Sequence, residues 1–185
     1  MLVHLGPRRS ESRGVDDVVA LLIECHGRMR KFLVLARRLA EAPGTLPAEV
    51  RDVARRIARY FTEAFPLHVA DEDRELAPRL AGASAEVEHA LARMTAEHLD
   101  HEPAIAQLIE LCVSIAEDPR RLAALADELA RVSGDLATRL ESHLELEERV
   151  VFPQVRRLPA ADQAAILAAL RERRAQARPG EPAPG

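Results

Sequence analysis

Two stretches of this 185-residue chain set an imidazole and a carboxylate four residues apart. His68-Val-Ala-Asp-Glu72-Asp-Arg-Glu-Leu-Ala-Pro78 and His143-Leu-Glu-Leu-Glu147-Glu-Arg-Val-Val-Phe-Pro153 share one pattern: His, three residues, Glu, an acid, Arg, three residues, Pro. The copies lie 75 residues apart. On an α-helix a spacing of four puts both side chains on one face about a turn apart, so each copy presents a nitrogen and a carboxylate oxygen to the same point. Such a pair is a metal-ligand pair first. One copy could arise by chance in a chain with 30 acidic residues. Two copies with matching Arg and Pro argue against chance.

Apolar periodicity predicts the helices that must carry these groups. Helix one is expected from about Val15 to Ala42, with Asp16 and Asp17 at its positive end, Pro43-Gly44 as its stop and His26 on its apolar seam. Helix two runs from Pro47 to about Ala77 and turns His68 and Glu72 inward. Helix three follows a Ser84 cap; its seam reads Val87, Leu91, Met94, His98, His101, Ile105, Leu108, Cys112, Ile115. Helix four opens at Asp118-Pro119, carries His143 and Glu147 inward, and has a weak point at Ser133-Gly134. Residues 159–177 read as a short fifth helix. Residues 1–14 read as a flexible N-terminal segment and 178–185 as a disordered tail. Short connections between long helices imply an all-α, antiparallel up-down-up-down four-helix bundle, residues 15–158, with the fifth helix appended.

In such a bundle five histidines (His26, His68, His98, His101, His143) and two glutamates (Glu72, Glu147) occupy seams at similar depth. Counted from the connections, His26 and His68 differ by about 6 Å at ~1.5 Å rise per residue. The third connection leaves a larger offset between His101 and His143, one that a longer turn or a displaced helix must absorb. Two unpaired carboxylates in a Leu-lined core would cost several kcal/mol each, so something cationic must meet them. Arg74 and Arg149 lie two residues past the glutamates and point elsewhere. Imidazole and carboxylate without thiolate suit iron, manganese or zinc. Seven ligands exceed the needs of one tetrahedral zinc, whereas two metals bridged by two carboxylates and sharing five imidazoles account for all. Ferritin-like bundles carry Glu-x-x-His on two helices; the order here is His-x-x-x-Glu, and that arrangement does not fit.

Composition narrows the classes further. Aromatics make up 3% and Trp is absent, while Ala, Leu, Arg and Glu dominate, as in helical bundles. All 26 basic residues but Lys31 are Arg, yet acids outnumber them and the net charge is −4, so nucleic-acid binding is not expected. No run approaches the roughly 20 apolar residues of a membrane span. Cys25 and Cys112 stand alone, which reads as reduced thiols in a cytoplasmic protein.

The residues resemble the hemerythrin-like, or HHE cation-binding, domains. The resemblance spans roughly Val15 to Leu158. It rests on His26, on His68 with Glu72, on Glu97-His98 and on His143 with Glu147; Leu76-Ala-Pro78 and Val151-Phe-Pro153 resemble the Leu-Phe-Pro that follows the acidic pairs there. The resemblance implies a non-heme di-iron centre with an open position for dioxygen or a related small molecule. It implies His26, His68, His98 and His143 as terminal ligands and Glu72 and Glu147 as bridges. Helix three departs from the pattern of oxygen carriers: His98 and His101 are three apart rather than four, and Glu102 holds the four-apart place. His101 fits the seam and follows His26 by 75 residues, the offset of the main repeat, and is taken as a fifth nitrogen ligand. Glu102 is the alternative, and would make the centre richer in oxygen and less suited to reversible carriage.

Pro66 and Pro103 lie two residues from His68 and His101 and free the carbonyls of Thr62 and Leu99, so kinks that aim these ligands are expected beside plain tolerated kinks. Tyr60 reads as core packing, with the cavity as its other option. His89 and His4 read as surface residues. The favoured function is binding or sensing of dioxygen, nitric oxide or peroxide at two irons, with manganese and zinc as lesser candidates. An oxidase or catalase-like enzyme is the second reading and a structural metal bundle the third. The seams show no second polar constellation for an organic substrate.

Overall fold

The structure is a computed structural model that describes residues 17–42, 44 and 46–177. The expected N-terminal segment, the start at Val15, His4 and the C-terminal tail lie outside these residues. Among the described residues every regular element is helical. Helix α1 (Val18–Ala40) begins where Asp17 accepts from the backbone of Val19 at 2.8 Å and of Ala20 at 3.2 Å, satisfying N–H groups that have no partner within the helix. It ends two residues short of the expected Ala42.

The second rod is segmented. It comprises α2 (Pro47–Arg59), a π-helical turn Tyr60–Ala64, α3 (Phe65–Asp71), a second π turn Glu72–Leu76, and α4 (Ala77–Leu80). Gly82 follows at φ 80°, the left-handed region glycine tolerates, and its N–H donates to Glu88 Oε1 at 2.6 Å. Helix α5 (Ala85–Glu117) starts at Ser84, whose hydroxyl accepts from Val87 N at 3.2 Å. After a 3-10 turn (Pro119–Arg121) come α6 (Leu122–Leu146), a third π turn (Glu147–Val151), α7 (Phe152–Val155) and α8 (Ala160–Gln176).

Each π turn precedes a proline near the start of the following α segment, at Pro66, Pro78 and Pro153. Proline lacks an N–H and its ring collides with the carbonyl four residues back; one wider turn removes the collision without ending the rod. Glu72 and Glu147 are the first residues of two of these turns. The shared Pro of the sequence repeat therefore has a structural consequence at the shared Glu. Pro66 comes with such a turn, as a helix-distorting role requires, whereas Pro103 sits inside uninterrupted α5. Helix α6 likewise runs unbroken through Ser133-Gly134, the Ser133 hydroxyl donating to Leu129 O at 2.6 Å.

Helix α1 packs on α6, α2 on α5, α5 on α6 and α1 on α2. The core falls into two apolar layers. One holds Met29, Leu33, Ile57, Phe61, Leu108 and Leu136; the other holds Leu22, Leu76, Met94, Val151, Phe152 and Ile166. Along α1, α5 and α6 the histidines fall between the two layers. Helix α8 closes the second layer with Ile166, Leu167 and Leu170. Its last turn sends Arg173 and Arg174 onto Asp71, whose carboxylate is fully buried; Arg174 Nη1 lies 2.7 Å from Oδ2, and Arg173 also meets Glu75 at 2.8 Å. Burial pushes the Asp71 carboxyl up, and the two guanidiniums only partly offset this.

Candidate metal centre

Six of the seven predicted residues converge. His26, His68, Glu72 and Glu147 form one group and Glu72, His98, His143 and Glu147 another, the donor atoms of each lying within 4.8 Å of one another. Both glutamates belong to both groups. Glu72 turns Oε1 toward His68 Nε2 at 3.1 Å and His26 Nε2 at 3.9 Å, and Oε2 toward His98 Nε2 at 3.4 Å. Glu147 turns Oε2 toward His26 Nε2 at 3.2 Å and Oε1 toward His143 Nε2 at 2.9 Å. Each carboxylate thus spans two positions. The π turns begin at these glutamates, and wider turns also change how many residues reach a given depth, which the count along ideal helices could not include.

All six residues are buried. Both oxygens of each glutamate and the Nε2 atoms of His26, His68 and His98 have no hydrogen-bond partner, although they face one another. Orphaned donors and acceptors are costly in a core, and a cation at each position would satisfy them together. This donor set fits a pair of metal ions. The electrostatics agree. Burial alone would lower His26, but Glu147 and Glu72 outweigh it and raise its pKa to about 9. His68 is raised well above its ordinary value against the same burial penalty, chiefly by Glu72, and His143 is raised by Glu147. Burial pushes Glu72 up, yet His68, His26 and His98 hold it well below the usual carboxylate range. The two carboxylates collect positive charge, and in the protein alone protons supply it.

Three acids outside the two donor groups hold the far side of the imidazoles. His26 Nδ1 meets Glu148 Oε1 at 2.8 Å, His98 Nδ1 meets Asp73 Oδ1 at 3.1 Å, and His143 Nδ1 meets Glu97 Oε2 at 3.0 Å. Arg30 braces Glu148 at 2.9 Å and Arg93 braces Glu97 at 2.7 Å. The second acid of each repeat was the available signal: Asp73 follows Glu72 and Glu148 follows Glu147, and each serves a histidine on another helix. A carboxylate at Nδ1 fixes the ring with Nε2 free and raises its basicity. Glu148→Gln is expected to weaken metal binding roughly 10–100-fold, as such outer partners do, measured by competition with a chelator.

His101, expected as the seventh ligand, belongs to neither group. Its ring lies 5.4 Å from that of His143, and its Nδ1 is buried without a partner. Three residues after His98 it sits about 4.5 Å further along α5, off the level of the glutamates. Burial and then His143 lower its pKa to about 4, opposite in direction to His26, His68 and His143. Glu102 is exposed and lines a groove beside His98. Tyr60 is core, stacked on Phe32 at 4.2 Å, and borders a cavity that His68 also lines. His89, Arg74 and Arg149 are exposed, as expected. The Phe152 ring lies 5.0 Å from that of His26 and caps the site, so the Val-Phe-Pro of the second repeat has a direct role.

Fold and site together define an all-helical protein with buried His/Glu groups able to hold metal ions. The hemerythrin HHE cation-binding domain matches residues 17–155, and the chain belongs to that family. Comparisons with curated proteins and with solved structures return no match.

Proposed function

We propose that the protein is a non-heme di-iron protein that binds or senses dioxygen or a related small molecule such as nitric oxide or peroxide. The observation that carries this reading is the sharing of Glu72 and Glu147 by two groups of donors. In it, His26 and His68 serve one metal, His98 and His143 the other, and the glutamates lie between. The reading takes α1, the second rod, α5 and α6 as an antiparallel up-down-up-down set. Support comes from the pairings Arg93 with Ser142 and Gln107 with Glu128, where the number rises on α5 as it falls on α6. Each position offers four donor atoms, fewer than a six-coordinate ion takes, which leaves room for a small ligand. When bound, the metals would supply Lewis-acid and redox chemistry there. The chain orients the imidazoles through Glu148, Asp73 and Glu97, and its two apolar layers keep bulk water away.

Iron is favoured over manganese and zinc by the mixed imidazole and carboxylate set together with the family. Metal analysis and visible spectra of anaerobically purified protein, before and after air, test the reading. About two irons per chain and an absorption band that changes on exposure are expected. A chain that takes up no iron would end it.

A second reading, a di-iron oxidase or catalase-like enzyme, draws on a groove of about 530 Å³ walled by Phe61, Phe65, Val69, Ile105 and Ile109 and reaching His98. That volume falls within the range of small-molecule sites. Sustained peroxide consumption or substrate oxidation over many turnovers per site would favour it over binding and sensing.

A further inference from the structure

The four imidazoles that serve the candidate centre differ on their far sides. Three have a carboxylate at Nδ1, from Glu148, Asp73 or Glu97. The fourth, His68, has no carboxylate there among the described residues: its Nδ1 is buried in a residue only 3% exposed, and the ring has the Cys25 thiol, a weak partner, for a neighbour. His68 lines a cavity of about 240 Å³ together with Cys25, Arg28, Tyr60, Glu63 and Arg174. With Nε2 committed to a cation, a neutral imidazole carries its single proton on Nδ1. That N–H is then a donor needing an acceptor, and leaving it unmet in the interior is costly.

The polar groups bordering the cavity are mostly donors. Among the described residues Arg28 pairs with Glu24 alone, at 3.5 Å, both side chains about half exposed. Arg174 Nη1 is held by Asp71 at 2.7 Å and by Leu170 O at 2.8 Å, but Nη2 faces the Cys25 sulfur at 3.5 Å, a weak acceptor that an oxygen would readily replace. Tyr60 adds a hydroxyl and Cys25 a thiol. The one carboxylate on the wall, Glu63, is exposed. A buried donor with only a weak sulfur neighbour, beside two guanidiniums and a phenol, is complementary to an anion with oxygen acceptors.

We infer that this cavity is a binding site for a small oxyanion of the carboxylate type, which takes at His68 the place that protein carboxylates take at the other three imidazoles. The inference rests on the metal-centre reading for the position of the Nδ1 proton. Arg174 and Ala177 at the end of α8 form part of the wall. They lie beyond residue 155, so this part of the site is outside the family match.

The test is calorimetric titration of sodium formate and of sodium acetate into the metal-loaded full chain, with sodium chloride as the anion lacking oxygen acceptors. Saturable formate binding that leaves the visible band of the metals unchanged is expected. Arg174→Ala should weaken it by about tenfold or more, because a charged donor is lost. Tyr60→Phe, which keeps the stack on Phe32, should weaken it severalfold, and it decides the matter if Arg174→Ala does not fold. A metal-loaded chain with no saturable formate binding overturns this site alone. So does binding that shifts the band and survives both substitutions, since the anion would then sit on the metals. A chain that takes up no metal overturns the centre first, and this site with it.

Discussion

Glu72→Ala is expected to lose both metals and to destabilise the fold even without them. Glu72 is fully buried, belongs to both donor groups, and its oxygens face three imidazoles at 3.1, 3.4 and 3.9 Å. Removing it takes an oxygen from each donor group. It also leaves His68, whose raised pKa rests chiefly on it against burial, buried without its nearest carboxylate. Breaking a buried charged pair by deleting one partner costs roughly 3–5 kcal/mol, against about 0.5 kcal/mol for an ordinary surface change. Arg149→Ala, two residues past the equivalent Glu147 and exposed, is the control. Metal analysis and urea unfolding of chelated protein read the two effects separately. Unchanged metal content in Glu72→Ala would contradict the bridging role.

The second large effect is opposite pH behaviour of chelated and loaded protein. In the protein alone His26 is raised from 6.5 to about 9, and His68 and His143 are raised as well. The folded chain then binds these protons more tightly than the unfolded chain. Their contribution is complete below about pH 6.5 and is lost as pH rises through about 9. Glu72, held low, contributes above its unfolded value of 4.5 and loses that contribution only as pH falls through its lower folded value, outside this window. The chelated protein should therefore melt at progressively lower temperature between pH 6.5 and 9.

Loaded protein should not follow that trend, because bound metal ions supply the positive charge across this window. Uptake must displace protons from the imidazoles, so affinity falls as the solution is acidified. At a free metal concentration about 1,000 times the dissociation constant, binding adds about 4 kcal/mol. For a chain of this size that raises the melting temperature by roughly 8–16 °C, at about 2–4 °C per kcal/mol. Scanning calorimetry with and without chelator across the window measures both. A chelated midpoint that rises with pH would contradict the protonation scheme.

Helix periodicity was legible because it is local. The seam on α5, from Val87 through His98 and His101 to Ile115, is buried residue for residue as its alternating steps of three and four require. The repeated His, Glu and Pro likewise placed the centre on two rods before any packing was known. At His101 periodicity gives burial and no more: membership in a donor group depends on depth relative to Glu72 and Glu147 on other helices.

The amino-acid sequence by itself determined which residues face the core, where the rods begin and end to within a few positions, and that imidazoles and carboxylates share one buried layer. Tertiary structure alone decided which acid meets the Nδ1 of which ring: Glu148 that of His26, Asp73 that of His98, Glu97 that of His143, and, among the described residues, none that of His68. It also decided that α8 reaches back to Asp71 beside that same histidine. The physical reason is range. Side-chain spacing along one helix is set by its own 3.6-residue turn, whereas contacts between helices depend on their relative register, which three wider turns and the packing of two apolar layers establish together.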